Sequence, residues 1–135
     1  MISKRPIDSL LKGARILVVE DDWLISTLLA DFLTDSGCVV VGPVFSVAGG
    51  IVLASEEAID AALLDLNVKG GEVYPVARTL ADRGIPFAFL TGYVASKVSQ
   101  TYRERPVLQK PFLVANLVQI LEEILDQTGK IVRAL

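Results

Sequence analysis

Ile16-Leu17-Val18-Val19-Glu20-Asp21-Asp22 sets three acids directly behind four aliphatic residues. A strand buried on both faces reads as such an unbroken apolar run, so the acids stand at its carboxyl end. The arrangement recurs along the chain. Ala61-Ala62-Leu63-Leu64 leads into Asp65, Pro86-Phe87-Ala88-Phe89-Leu90 into Thr91, and Val107-Leu108-Gln109 into Lys110. A β-branched run at 38–43 ends on Gly42-Pro43. Strands are therefore expected at 15–20, 38–43, 60–65, 86–91 and 106–109.

Amphipathic stretches separate these runs. Leu24, Ile25, Leu28, Leu29 and Phe32 recur at helical spacing and predict a helix over 22–36, stopped by Gly37. Ser46 can cap a second helix to about Glu57, which Gly49 and Gly50 weaken by roughly 1 kcal/mol each. After a turn at 67–71, a third helix runs from about Glu72 to Arg83. Residues 95–104 make a poor fourth one, with few apolar anchors. Leu113, Leu117, Ile120, Leu121 and Ile124 share a face of a fifth over 112–127. Five β-α repeats with right-handed crossovers predict an α/β fold. The expected form is a (βα)5 flavodoxin-like, doubly wound parallel sheet of order 2-1-3-4-5. In such sheets ligands collect at the carboxyl ends of the strands, at the switch point between strands 1 and 3.

The chain has 135 residues, 52% of them hydrophobic, and a net charge of −3. That suits one domain with a real core: 14–127, with tails at 1–13 and 128–135. No apolar run reaches the roughly 20 residues of a membrane span, and 1–13 has no leader-like stretch. The expectation is a cytoplasmic protein that binds neither membrane nor nucleic acid. Cys38 is the one cysteine, in an apolar run, and reads as a small core residue. The chain contains no histidine, which excludes Ser-His-Asp and Cys-His catalysis and histidine-ligated zinc.

Glu20, Asp21 and Asp65 at one sheet edge repel one another unless a cation or a proton intervenes. Mg²⁺ favours oxygen ligands and takes one or two carboxylates beside waters and phosphate oxygens. Asp21, Asp65 and the backbone carbonyl of Asn67 offer such a set. A carboxylate can also attack phosphorus to give an aspartyl phosphate. Lys110 would then offset charge on the transferring oxygens, and Thr91 would offer them a hydroxyl. Each residue has a plainer explanation. Asp22 suits a helix N-cap, Asp21 a solvated or second capping residue, Asp65 and Thr91 turn chemistry, and Lys110 a solvated strand end. The joint placement on four strands favours a site.

These residues resemble a response-regulator receiver domain of two-component signalling, over about 14–127. The resemblance rests on Ile-Leu-Val-Val-Glu20-Asp21-Asp22, Leu-Leu-Asp65-Leu-Asn67, Leu90-Thr91-Gly92 and Lys110-Pro111-Phe112. It implies that Glu20 and Asp21 are the acidic pair, with Asp21 a direct Mg²⁺ ligand. Asp65 would be the phosphoacceptor, Thr91 the switch hydroxyl, Lys110 the phosphate-sensing lysine, and the Lys110-Pro111 bond cis. Where many receivers carry an aromatic switch residue this chain has Val107. The run Phe87-Ala88-Phe89-Leu90-Thr91-Gly92-Tyr93 is similar to a subgroup whose fourth strand ends in Phe-Ala-Thr-Gly and a tyrosine, though Leu90 departs from its alanine and one glycine is missing. Tyr93 is then either a substitute switch residue or a loop aromatic. The resemblance implies a stand-alone regulator, not a classical enzyme, phosphorylated by a sensor histidine kinase. It would signal to an unknown downstream protein by contact or phosphotransfer, as a monomer or weak dimer. The alternatives are a non-phosphorylated scaffold, an aspartyl-phosphate hydrolase, or a flavodoxin-like ligand module. Asp65-Leu66-Asn67 lacks the hydrolase's second acid, and the acids after strand one would repel a ligand's phosphate.

Overall fold

The computed structural model describes residues 10–92 and 98–126. Its strands in chain order are β1 (Arg15–Val19), β2 (Val39–Val44), β3 (Ala61–Asp65), β4 (Asn67–Val68), β5 (Gly71–Glu72), β6 (Phe87–Thr91) and β7 (Val107–Gln109). The helices are α1 (Trp23–Asp35), α2 (Val47–Glu56), α3 (Tyr74–Asp82) and α4 (Val114–Asp126). Five strands form one parallel sheet in the order β2-β1-β3-β6-β7. Numbered within the sheet, that is the expected 2-1-3-4-5. β4 and β5 form a separate antiparallel hairpin.

The apolar runs serve both faces by simple alternation. Ile16, Val18, Leu63, Leu90 and Leu108 pack with Leu29 and Leu33 of α1 and Leu117, Leu121, Ile124 and Leu125 of α4. Leu17, Val19, Leu64, Phe87 and Phe89 pack on the other side with Ala54 of α2 and Val76, Ala77 and Leu80 of α3. Cys38 is buried with the first group, and burial pushes its thiol up to about 11.

Several boundaries differ from the sequence expectation. β2 does not stop at Gly42-Pro43. Gly42 adopts φ +100°, a bulge restores pairing at Val19 with Val44, and the strand continues. A Cβ at Gly42 would lie 2.9 Å from the Val44 nitrogen and 3.1 Å from the Val18 oxygen, so only glycine fits. Glu72 belongs to the hairpin rather than to a helix. In α1 the inward stripe is centred on Leu29. Leu24 and Leu28 fall 100° or more around the helix from it and are exposed. Leu113 is also exposed, because it precedes α4; its N–H donates to the Asn116 side chain instead. Leu10 and Leu11, expected in a tail, are buried against the α1-α4 face. Gly13 N–H ties that segment to the Gly37 carbonyl at 2.7 Å.

The described part of 95–104 holds a single 3₁₀ turn, Gln100–Tyr102, in place of an α-helix. Its anchors are aromatic rather than aliphatic: Tyr102 packs on Tyr74, Phe87 and Phe89, and Val98 is buried. Spacing could not reveal that, since the partner rings lie on α3 and β6.

Candidate functional site

Parallel register brings the charged strand ends to one edge. β1 and β3 are neighbours, with Val19 opposite Leu64, so Glu20-Asp21 and Asp65 leave the sheet side by side. Asp65 pairs in register with Leu90, one residue short of Thr91, and Thr91 pairs with Gln109, one short of Lys110. The Lys110 N–H donates to the Thr91 carbonyl at 2.7 Å and locks the last two strand ends together. The Lys110-Pro111 peptide is cis.

Glu20 is fully buried and both its oxygens are used. Oε1 accepts from Lys110 Nζ at 2.9 Å, and Oε2 accepts from the Asp22 N–H at 3.0 Å. Asp22 also caps α1, its Oδ1 accepting from the Ile25 N–H at 3.0 Å. The helix cap and the buried glutamate are thus built by one turn of chain, a double duty the sequence did not disclose. Lys110 Nζ lies 3.4 Å from Asp65 Oδ2, so it sits between the two buried acids.

Ligand oxygens of Glu20, Asp21 and Asp65 lie within 4.8 Å of one another. Asp21 is exposed, while Asp65 is 8% exposed. Burial pushes Asp65 up to about 7. The adjacent Glu20 carboxyl adds to the shift, and Lys110 opposes it. Burial alone would lower the Lys110 ammonium, but Glu20 and Asp65 outweigh it and hold its pKa above the ordinary value. Three carboxylates against one ammonium leave the edge short of positive charge. The donor set, all hard oxygens around a part-open site, fits a hard divalent cation.

Thr91 is buried at the end of β6. Asn67 is exposed at the start of the hairpin, opposite Glu72. Val107 is half-buried on β7 beside Phe89 and packs in the α2-α3 core. Tyr93 lies outside the described residues. Sequence reasoning missed Tyr74. This first residue of α3 touches Phe89 and Tyr102 and accepts from the Ser99 N–H at 2.8 Å. No local motif marks it, because its partners are 15 to 28 positions away.

The chain is similar to solved proteins across most of its length. SdrG from Sphingomonas melonis Fr1 is 44% identical, with 84% of this chain and 97% of that one covered and a TM-score of 0.75. A response regulator receiver protein from Sinorhizobium medicae WSM419 is 26% identical, covering 86% and 97%, at 0.72. The receiver domain of sensor histidine kinase PA1611 from Pseudomonas aeruginosa PAO1, solved with magnesium in its active-site cleft, is 26% identical, covering 84% and 98%, at 0.69. The uncharacterized transcriptional regulatory protein YbdJ of Bacillus subtilis is 28% identical over 86% of this chain. The chain spans 52% of that curated relative's length. No protein-family model matches.

Proposed function

Since this chain belongs to the response-regulator receiver family, we propose that Asp65 accepts a phosphoryl group from a histidine kinase, with Mg²⁺ bound. The observation that carries this reading is the Glu20-Lys110-Asp65 constellation beside exposed Asp21. It unites a nucleophile, a cation and a divalent-metal donor set at one strand edge. In this reading Asp21, Asp65 and the Asn67 carbonyl hold the metal. Glu20, its oxygens already engaged, contributes charge and orientation. That the PA1611 receiver holds magnesium in its active-site cleft supports a metal at this site.

An Asp65 oxygen attacks phosphorus as the bond to the donor histidine nitrogen breaks, and that nitrogen keeps the electron pair. The leaving nitrogen takes a proton from solvent, and the products are an aspartyl phosphate and neutral histidine. The bound metal supplies charge compensation for the phosphoryl oxygens. Lys110 already lies 3.4 Å from the attacking carboxylate and offers its ammonium to a phosphoryl oxygen. Thr91 contributes its hydroxyl. The new anion competes with Glu20 for Lys110 and draws the ends of β6 and β7 toward Asp65. The regulator then signals through protein contact or by passing the phosphoryl group on. Among the described residues no helix is long and apolar enough to cross a membrane.

The test is incubation with acetyl phosphate and Mg²⁺, followed by intact mass measurement. Wild type is expected to gain one phosphoryl adduct, which is absent in Asp65→Asn and in chelator. An adduct that persists in Asp65→Asn would place the acceptor elsewhere, and a folded wild type with no adduct would count against the chemistry.

A further inference from the structure

Four aromatic rings meet where α3, β6 and the 3₁₀ turn converge. Tyr74 stacks on Tyr102, with centroids 5.7 Å apart and planes 13° apart, and meets Phe89 edge-on at 5.9 Å. Tyr102 lies edge-on to Phe87 and Phe89, at 5.8 and 6.0 Å. The Arg105 guanidinium sits 4.2 Å over Phe87. The Tyr74 hydroxyl accepts from the Ser99 N–H at 2.8 Å. One residue thus holds residues 98–105 by both a ring face and a hydrogen bond.

Its position matters more than its contacts. Val73, just before Tyr74, donates its N–H to the carbonyl of Leu66, the neighbour of Asp65, at 2.9 Å. Phe89, under the Tyr74 ring, stands two residues before Thr91. Tyr74 therefore touches the strand that carries the Thr91 hydroxyl and the segment beyond it, and its chain neighbour Val73 is bonded to the residue after Asp65. With valine at 107, the aromatic that this segment contributes to the cluster is Tyr102. The phosphotransfer chemistry uses none of these rings.

We propose that Tyr74 is a latch that holds residues 98–105 against α3 and β6 in the unphosphorylated chain and opposes the shift that phosphorylation of Asp65 drives. The proposal rests on the reading of Asp65 as phosphoacceptor. Phe89, on the strand that ends in Thr91, contacts both Tyr74 and Tyr102, so a pull on Thr91 toward Asp65 disturbs the ring cluster that restrains the segment. Ser99 and Tyr74 are both half-buried, so water replaces their hydrogen bond once the segment moves. A bond made in one state only biases the equilibrium by its own strength.

Tyr74→Phe keeps the ring and removes the acceptor. Beryllofluoride, which mimics the phosphoryl group, is titrated in Mg²⁺ into wild type and variant, followed by amide NMR. Hydrogen exchange at Ser99 is measured in both free proteins. The variant is expected to bind beryllofluoride about threefold to tenfold more tightly, and Ser99 to exchange faster by a similar factor, as one ordinary hydrogen bond predicts. Unchanged or weaker beryllofluoride binding in the variant overturns the latch alone, whatever Ser99 does. Unchanged Ser99 exchange overturns it too. A wild type that binds no beryllofluoride overturns the phosphoacceptor reading, and the latch with it.

Discussion

Lys110 is the hinge of the site's electrostatics. Glu20, which holds it at 2.9 Å, has no exposure to water, while Asp65 retains some. Burial, with the Glu20 carboxyl beside it, pushes Asp65 to about 7 against an ordinary 3.8. A folded-state pKa above the unfolded value means that the folded protein binds this proton more tightly. The stabilisation is full below 3.8 and is lost as pH rises through about 7. Thermal melts in chelator are therefore expected to fall as pH rises from 3.8 to about 7 and to level off above that. On the proposed metal site, saturating Mg²⁺ should flatten or reverse that slope, because a cation there would favour the deprotonated carboxylate. Asp65→Asn should abolish the step. A chelated wild type whose melting temperature ignores this range would show that Asp65 is ionised throughout. The acids, Thr91 and Lys110 were all legible as strand-end residues. The satisfaction of both Glu20 oxygens was not, since it depends on a lysine 90 positions away.

Elements pack closely enough that a glycine can outweigh helix propensity. Gly50 in α2 reads as a weak point, and in isolation an alanine there would gain about 1 kcal/mol. In the fold it lies where α2 crosses α3: a Cβ would stand 2.8 Å from Val76 Cγ2 and 3.4 Å from Val19 Cγ2, both fully buried side chains. Gly50→Ala is thus expected to destabilise the protein by about 1–2 kcal/mol in urea titration, overpacking exceeding the propensity gain. A stabilised variant would mean that the helices separate freely. The caps were readable from the chain: Asp22 and Ser46 each accept an N–H three residues on. The bulge in β2 and the exposure of Leu24 and Leu28 were not, because periodicity marks apolar residues without saying which reach a partner.

The sheet divides the molecule into two cores that share strands but no side chains. Leu121 belongs to the core under α1 and α4, Leu80 to the one under α2 and α3, and neither is exposed. Truncating either to alanine is expected to cost about 2–5 kcal/mol. With the sheet between them, the double variant should lose the sum to within about 0.5 kcal/mol. Chemical denaturation of the single and double variants checks this, and strong coupling would show that the two faces unfold as one packed unit.

What the amino-acid sequence determined by itself was the alternation of buried strands and helices, hence the doubly wound sheet, and which charged and polar residues stand at its strand ends. Those features are periodic or adjacent in the chain, and hydrophobic burial reads them locally. Only packing settled how Lys110 is shared, where β2 continues, and that Tyr74 ties the segment after β6 to α3. Each depends on groups distant in sequence that meet only when the strands register and the helices close over them.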